Sequence, residues 1–492
     1  VAVRHARPFG AATAHPRRPE FAAARTNLAA FRSPSESSVA NVTAAPALRF
    51  VDLGPAPDDS EVLARFYRTL YVAEFPDPDE RESLANMIGY LAHDGEHGNA
   101  YIVTLVYDGD ALLGGSICDY FVRSNCGAIE FLTVAPQARG RGLGAALTEH
   151  VERRMADAAT ARGKSLAFVM AEMNDPFKRT STPDNLDPFE RLRFWDRLGY
   201  RRAAFPYVQP ALSPEQSPVR NLLLAAKPFD PPGARDVETQ HVVAFLSDYL
   251  IYAMRFDDPR TSPDFVAMSA YLAQRDTIPL AGLAEYIGQD PQRPLAVREI
   301  ENTRDPDFGP ATELYRRVSG DSALALDAAA FDAASDRAMN GGARHHLWAL
   351  REQPDGPVCG MASFFALPSA GFGACVAFEP PLQRTGRLPL LIARIERALV
   401  GEGAATQGWY ATCRDDTMTA RLVAHGFTQV SLPYRLPPNG PPPDGSQADG
   451  PPAHLLYKEF GATYEPPHPD DASLRAALRE IERVVYGIGA EP

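Results

Sequence analysis

The stretch Phe131-Leu-Thr-Val-Ala-Pro-Gln-Ala-Arg-Gly-Arg-Gly-Leu-Gly-Ala-Ala-Leu147 decides how the rest of the chain is read. Residues 131–134 are apolar and β-branched, the pattern of a buried strand's end. Pro136 stops the ladder because it has no N–H to donate. Gly140, Gly142 and Gly144 then alternate with Arg139, Arg141 and Leu143. From Leu143 the apolar residues Ala146, Leu147, Val151 and Met155 follow at helical spacing. A strand that feeds a glycine-rich turn into a helix can gather backbone N–H groups around an anion, at the positive end of the helix dipole. Two arginines beside those donors suit a pyrophosphate. The alternative use of such a corner is plain tight packing of strand against helix.

Three phosphate-binding patterns compete for this turn. A Walker loop ends in Gly-Lys-Ser/Thr, and Gly144-Ala145-Ala146 has neither lysine nor hydroxyl. The dinucleotide fingerprint needs G-x-G-x-x-G, which the spacing of Gly140, Gly142 and Gly144 does not give. What fits is Arg/Gln-x-x-Gly-x-Gly, satisfied by Arg139-Gly142-Gly144 and again by Gln137-Gly140-Gly142. On these residues, and on the Leu132-Thr-Val-Ala-Pro136 before them, the sequence resembles the GNAT acyltransferase superfamily. The resemblance implies acetyl-coenzyme A as co-substrate, with no metal. It also implies a coenzyme site at Leu132, Val134, Arg139, Gly140, Arg141, Gly142, Leu143, Gly144 and Ala145. It extends over roughly residues 47–230, where elements in the order β-α-α-β-β-β-α-β-α-β-β are expected.

Composition sets the outer limits. At 492 residues the chain should hold two or three domains. Its formal charge of −13 argues against general nucleic-acid binding and is compatible with a cationic amine acceptor. No apolar run is long enough to span a membrane. The five cysteines show no C-x-x-C spacing and suit a reducing, cytoplasmic compartment. His345 and His346 are adjacent, so on a strand they point to opposite faces and do not share a metal.

Residues 1–46, basic and poor in periodicity, read as a disordered extension. After the first domain, residues 231–293 read as a helical connector. The chain then repeats itself over 294–460, and 461–492 supply a second tail helix. The clearest internal match sets Leu198-Gly-Tyr200 and Phe205-Pro-Tyr207 against His425-Gly-Phe427 and Leu432-Pro-Tyr434. Leu222-Leu-Leu224 matches Leu455-Leu-Tyr457, and Leu250-Ile-Tyr252 matches Val484-Val-Tyr486. The order is kept throughout, so a mixed α/β fold of two tandem GNAT-like domains is expected. Residues 437–452 read as a mobile Pro/Gly-rich loop. In the second copy Glu379-Pro-Pro-Leu-Gln-Arg-Thr-Gly-Arg-Leu388 stands where the glycine turn stood. Leu388 takes the place of Gly144, and Pro389 removes a donor, so that site should be impaired and its domain should shape the first. Tyr207 and Tyr434 recur whether or not the turn is intact, which favours a packing role for both.

Acetyl transfer to an amine needs a base for the amine, a donor for the developing oxyanion and an outlet for the thiolate. Glu130 is the leading base, with Glu172 and Asp119 as alternatives, and Asn174 could orient the amine. Many family members carry a tyrosine acid after the fifth strand; here Trp195 stands in its place, and an indole cannot give up a proton at useful pH. Tyr120 or water could serve instead. The reading reached is an acyltransferase that moves acetyl directly to a primary amine of a small molecule or peptide. The rival is a non-catalytic acyl-coenzyme A-binding or scaffold protein. Two joined copies could act as a pseudo-dimeric monomer or as a homodimer.

Overall fold

The computed structural model describes residues 48–93, 95–178, 185–211, 216–320, 327–402, 408–436, 451–461 and 471–488. The expectations for residues 1–46 and 437–450 lie outside them.

Two mixed sheets carry the fold. The first comprises β1 (Arg49–Leu53), β2 (Ala100–Asp108), β3 (Ala111–Phe121), β4 (Cys126–Val134), β5 (Phe168–Asn174), β6 (Arg201–Ala203), β7 (Leu222–Pro228), β8 (Asp236–Glu238) and β9 (Thr277–Gly282). Their order is β1-β2-β3-β4-β5-β7-β6-β9-β8. Only β4 and β5 run parallel. The helices of this half are α1 (Pro57–Phe66), α2 (Val72–Glu74), α3 (Leu84–Ala92), α4 (Leu143–Thr160), α5 (Pro188–Arg197), α6 (Thr239–Asp248), α7 (Pro263–Leu272) and α8 (Leu283–Tyr286). Alternation along the strands sends Ile129, Val169 and Ala171 to one face, under Leu147, Val151 and Met155 of α4. Val103, Leu105 and Ile117 go to the other, under Leu63, Phe66 and Leu91 of α1 and α3. On the same side, Ala128 and Met170 lie under α6 and α7.

The second sheet comprises β10 (Ala296–Glu299), β11 (Arg344–Arg351), β12 (Gly360–Ala366), β13 (Gly371–Phe378), β14 (Gly408–Cys413), β15 (Thr428–Gln429), β16 (Tyr434–Arg435) and β17 (Pro452–Glu459). It runs β10-β11-β12-β13-β14-β17-β15, with β16 on β17, and again its central pair, β13 and β14, is parallel. Its helices are α9 (Phe308–Ser319), α10 (Ala328–Asn340), α11 (Arg387–Gly401), α12 (Asp416–Ala424) and α13 (Asp471–Glu480). The internal repeat read from the sequence is thus a repeat of topology.

The stretch 231–293, expected as a helical connector, also holds β8 and β9, which extend the first sheet beyond β6. Thr277-Ile-Pro-Leu buries alternate residues, Ile278 and Leu280. Four residues of period two around a proline are too short a signal to read in advance. Helix α10 also went unread, because its alanine-rich face carries little apolar contrast. The tail match shifts as well. Each tail helix ends in a π-turn, Tyr249–Ala253 and Ile481–Val485, which sets Tyr252 opposite Val484 rather than Tyr486.

The two halves share one hydrophobic core, joined through α8, which packs between α5 and α11. Tyr286 at its end donates to Asp175 at 2.9 Å while Arg202 stacks 4.1 Å over its ring. Across the same seam Arg394 Nε donates to the Gly288 carbonyl at 2.8 Å, and Arg397 lies 4.3 Å over Phe189.

Each half also encloses an ion pair at the same place, which the sequence comparison did not pick out. In the first, Glu152 of α4 receives Lys227 of β7 at 2.7 Å and the Tyr200 hydroxyl at 2.9 Å. In the second, Glu396 of α11 receives Lys458 of β17 and the Trp409 indole N–H. Such a pair adds little net stability, but removing one partner strands a buried charge. The Lys458 side chain is 3% exposed and that of Lys227 26%. Lys458→Met should therefore lower stability by about 3–5 kcal/mol, and Lys227→Met by less. The double variant Glu396→Gln/Lys458→Met should recover most of the loss. Denaturant midpoints of the four proteins test this.

Candidate active site

A fork in the first sheet makes the site. Strands β4 and β5 pair from Cys126↔Phe168 to Ile129↔Ala171 and then stop. Beyond that point β4 stays on β3, to Val134↔Gly114, while β5 stays on β7, to Asn174↔Leu222. The strands part because each follows its outer neighbour. Glu130 marks the vertex. Ile117 faces Phe131 and Cys118 faces Ile129, so Glu130 is the unmatched residue of a β-bulge. On β5 the residue just past the last pair is Glu172.

A cavity of about 610 Å³ opens through this fork. Glu130, Leu132 and Val134 line one wall, and Glu172, Met173 and Asn174 the other. Arg139, Gly140, Gly142, Leu143, Gly144 and Ala145 close one end, beside Phe194 and Trp195 of α5. Arg141 alone of the expected coenzyme-site residues is not part of the lining; it is exposed next to it.

The glycine turn is open to solvent and shaped by positive φ at Gly140 (75°) and Gly142 (79°), where a side chain would be strained. Gly142 is the N-cap of α4, so the first-turn N–H groups, among them those of Leu143, Gly144 and Ala145, have no partner within the helix. Gly144 also meets a packing constraint. A Cβ there would lie 3.2 Å from the Phe194 ring, so this glycine lets α5 close over the turn. Arg139 is fixed by its bond to the Val134 carbonyl (3.0 Å) and by an ion pair with Glu74.

At the other end the cavity is acidic. Glu130 meets Asp119, and one of its oxygens is buried with no hydrogen-bond partner. Burial first, then the charges of Asp119, Glu82 and Glu172, push its pKa well above the usual carboxylate range. Glu172 accepts the Tyr207 hydroxyl on one oxygen and the Tyr249 hydroxyl, at 2.8 Å, on the other. Burial raises its pKa too, and the two phenols oppose the rise. Tyr207 thus does more than pack, whereas the Tyr434 hydroxyl is buried with no partner among the described residues. Tyr249 was not anticipated, because it arrives from the π-turn after α6. Tyr120, weighed as an acid, donates to Asn125 at 2.9 Å and is not part of the lining. Trp195 lines the cavity and packs edge-on against Tyr200.

The second half repeats the fork without its chemistry. Pairing of β13 with β14 ends at Gly373↔Ala411, and the bulge residue, the counterpart of Glu130, is Ala374. Gly386 caps α11 in the same left-handed conformation as Gly142, which sets Leu388 in register with Gly144. Arg293, held by Asp290 and Glu285, lies against this turn and donates to the Gly386 carbonyl at 3.1 Å. A guanidinium already occupies the flank of that turn.

The sequence profile of the Acetyltransferase (GNAT) family matches residues 64–176, the segment from α1 through the end of β5. No curated protein matches the sequence. Among solved structures, a GNAT-family protein from Bacteroides thetaiotaomicron is 17% identical, over 42% of this chain and 98% of its own, with a TM-score of 0.30. A tandem GNAT protein from the clavulanic acid biosynthesis pathway is 16% identical, over 86% of this chain and 100% of its own, with a TM-score of 0.27. The PaiA N-acetyltransferase from Thermoplasma acidophilum, in complex with coenzyme A, is 11% identical, over 37% and 99%, with a TM-score of 0.26. Residues 64–176 thus form a domain that matches the acetyltransferase (GNAT) family.

Proposed function

We propose that the first half is an acetyl-coenzyme A-dependent N-acetyltransferase that passes acetyl directly to a primary amine. The observation that carries this reading is the single cavity that joins an open helix N-terminus to an unpartnered buried carboxyl oxygen through a gap in the sheet. The N–H groups at Leu143, Gly144 and Ala145 and the left-handed backbone at Gly140 and Gly142 fit a diphosphate. The edge of β4 freed at Leu132 and Val134 offers main-chain groups to an extended pantetheine arm and one N–H to the acyl oxygen. The thioester supplies an acetyl group activated toward nucleophilic attack.

The chain's own part is to hold the amine, take its proton and exclude water. Glu130 is the base in this proposal. A carboxyl whose pKa is raised above the ordinary range is a better proton acceptor than an ordinary glutamate. Its bond to Asp119 means that the two titrate as a pair, and the pair must be free of its shared proton to act. No phenol takes the position of Trp195, so water is left to protonate the departing thiolate. No cysteine lines the cavity, which favours direct transfer over an acyl-enzyme.

Gly142→Asp puts a side chain and a negative charge at a left-handed N-cap beside the diphosphate donors, and should abolish acetyl-coenzyme A binding in calorimetry while the fold, read by circular dichroism, persists. Retained binding would remove the basis of the assignment. Glu130→Gln should lower kcat by about 10²–10⁴-fold, the usual worth of a positioned base. In the unaltered protein kcat/KM should fall on acidification, with an inflection well above the ordinary glutamate value near 4.5. The same substitution should stabilise the protein. A carboxyl with a raised folded-state pKa favours folding least once pH exceeds that pKa, so the gain in melting temperature from Glu130→Gln should appear as pH rises above about 4.5 and be largest at alkaline pH. Thiol release with an amine panel tests the function itself; coenzyme binding without release from any amine would favour a scaffold.

A further inference from the structure

The acidic end of the cavity holds more negative charge than one reacting amine can satisfy. Glu130 and Glu172 stand side by side at the fork vertex, one residue past the last paired position of β4 and β5. Both face the cavity, and neither is paired with a lysine or arginine among the described residues. Asp119 joins Glu130 from β3, and Glu82 lines the same end with its carboxylate engaged by Ser83 N–H and Asn86.

The two carboxyl groups are prepared for different tasks. Glu130 is hydrogen-bonded to Asp119 and keeps one oxygen unpartnered. Glu172 has no acidic partner in hydrogen-bond contact; two tyrosine hydroxyls hold it from opposite sides, one on each oxygen. That arrangement fixes its plane and opposes the rise in pKa that burial causes, while leaving a lone pair on each oxygen free to accept. An amine that attacks a thioester must give up its proton, and so becomes neutral in the reacting state. It can balance the Glu130–Asp119 pair only by transferring that proton to it. Glu172 then faces the cavity as a fixed carboxylate whose countercharge must persist throughout the reaction. No three His, Cys, Asp or Glu side chains among the described residues are arranged to ligate a metal ion, so an organic cation is the fitting partner.

We infer that the acceptor of this N-acetyltransferase carries a second, permanently cationic group a short spacer away from the reacting amine, and that Glu172, clamped by Tyr207 and Tyr249, is its anchor. The inference rests on the proposed function and names the acceptor class for the same cavity. Diamines and amines bearing a guanidinium belong to that class; uncharged monoamines and amino acids with a free carboxylate beside the amine do not.

The test compares thiol release from acetyl-coenzyme A with the full-length protein, using α,ω-diaminoalkanes of increasing length and the primary monoamines of matching length. A charge-assisted hydrogen bond corresponds to about tenfold to a hundredfold in kcat/KM, and that is the expected preference for the best diamine over its monoamine. In Glu172→Gln the ratio should collapse toward one, the change lying in KM for the diamine rather than in kcat. Tyr249→Phe, which keeps the carboxylate but releases one side of the clamp, should give an intermediate ratio and guards against misfolding of the first variant. A ratio near one in the unaltered protein overturns the inference. So does a large ratio that Glu172→Gln leaves intact, which would place the second charge elsewhere. If no amine releases thiol, the transferase reading fails by itself. Calorimetry with the diamine then decides the anchor separately, through binding that Glu172→Gln abolishes or leaves unchanged.

Discussion

The parting of β4 from β5 is the constraint on which this half of the molecule depends. A parallel pair in the middle of a sheet would ordinarily run its full length, and unpaired strand edges inside a protein are costly. Here each strand keeps a full ladder with its outer neighbour, β3 or β7, so only the inner edges are left open. Those edges become the walls of a cavity instead of a defect in the core. The bulge at Glu130 is what lets β4 change course while remaining hydrogen-bonded, and it turns a carboxylate into the space so created.

The remaining elements hold this opening in shape. The Phe194 ring on α5 closes against Gly144, and α8 wedges α5 against the second half, with the Ala284 N–H donating to Asp196 of α5 and Arg394 of α11 donating to the Gly288 carbonyl. The π-turn after α1 brings the Tyr71 hydroxyl to accept the Glu82 N–H at 2.9 Å, and the π-turn after α6 brings Tyr249 to Glu172. Each adds one residue to a helical turn and so re-aims the side chains beyond it. The second half retains the fork, the left-handed glycine cap and the buried Glu–Lys pair. It has lost the vertex carboxylate, to Ala374, and the flank of its turn is filled by Arg293.

The glycine turn shows how far a sequence can speak for itself. Gly140, Gly142, the helix from Leu143 and the strand ending at Val134 were all legible, because backbone conformation at a glycine and apolar periodicity are local properties. The duplication was legible for the same reason, through short matched strings such as Leu198-Gly-Tyr200 and His425-Gly-Phe427. Glu130 could be singled out by its place on the strand, but its bulge, its bond to Asp119 and its raised pKa could not. Those depend on which residues of β3 and α3 come to lie beside it. Gly144 has a second neighbour the sequence does not show, since the ring that needs its bare Cα comes from Phe194, fifty residues on.

The order of strands around the glycine turn, the backbone conformation of that turn and the doubling of the chain were determined by the sequence alone, because each is written in contiguous residues. The tertiary structure decided the clamp of Tyr207 and Tyr249 on Glu172, the extension of the first sheet by β8 and β9, and the blocking of the second turn by Arg293. In every one of these the partners lie far apart in the chain and carry no shared local pattern. They meet only because burial of the apolar faces forces the elements together, and the polar contacts are then set by what happens to be opposite.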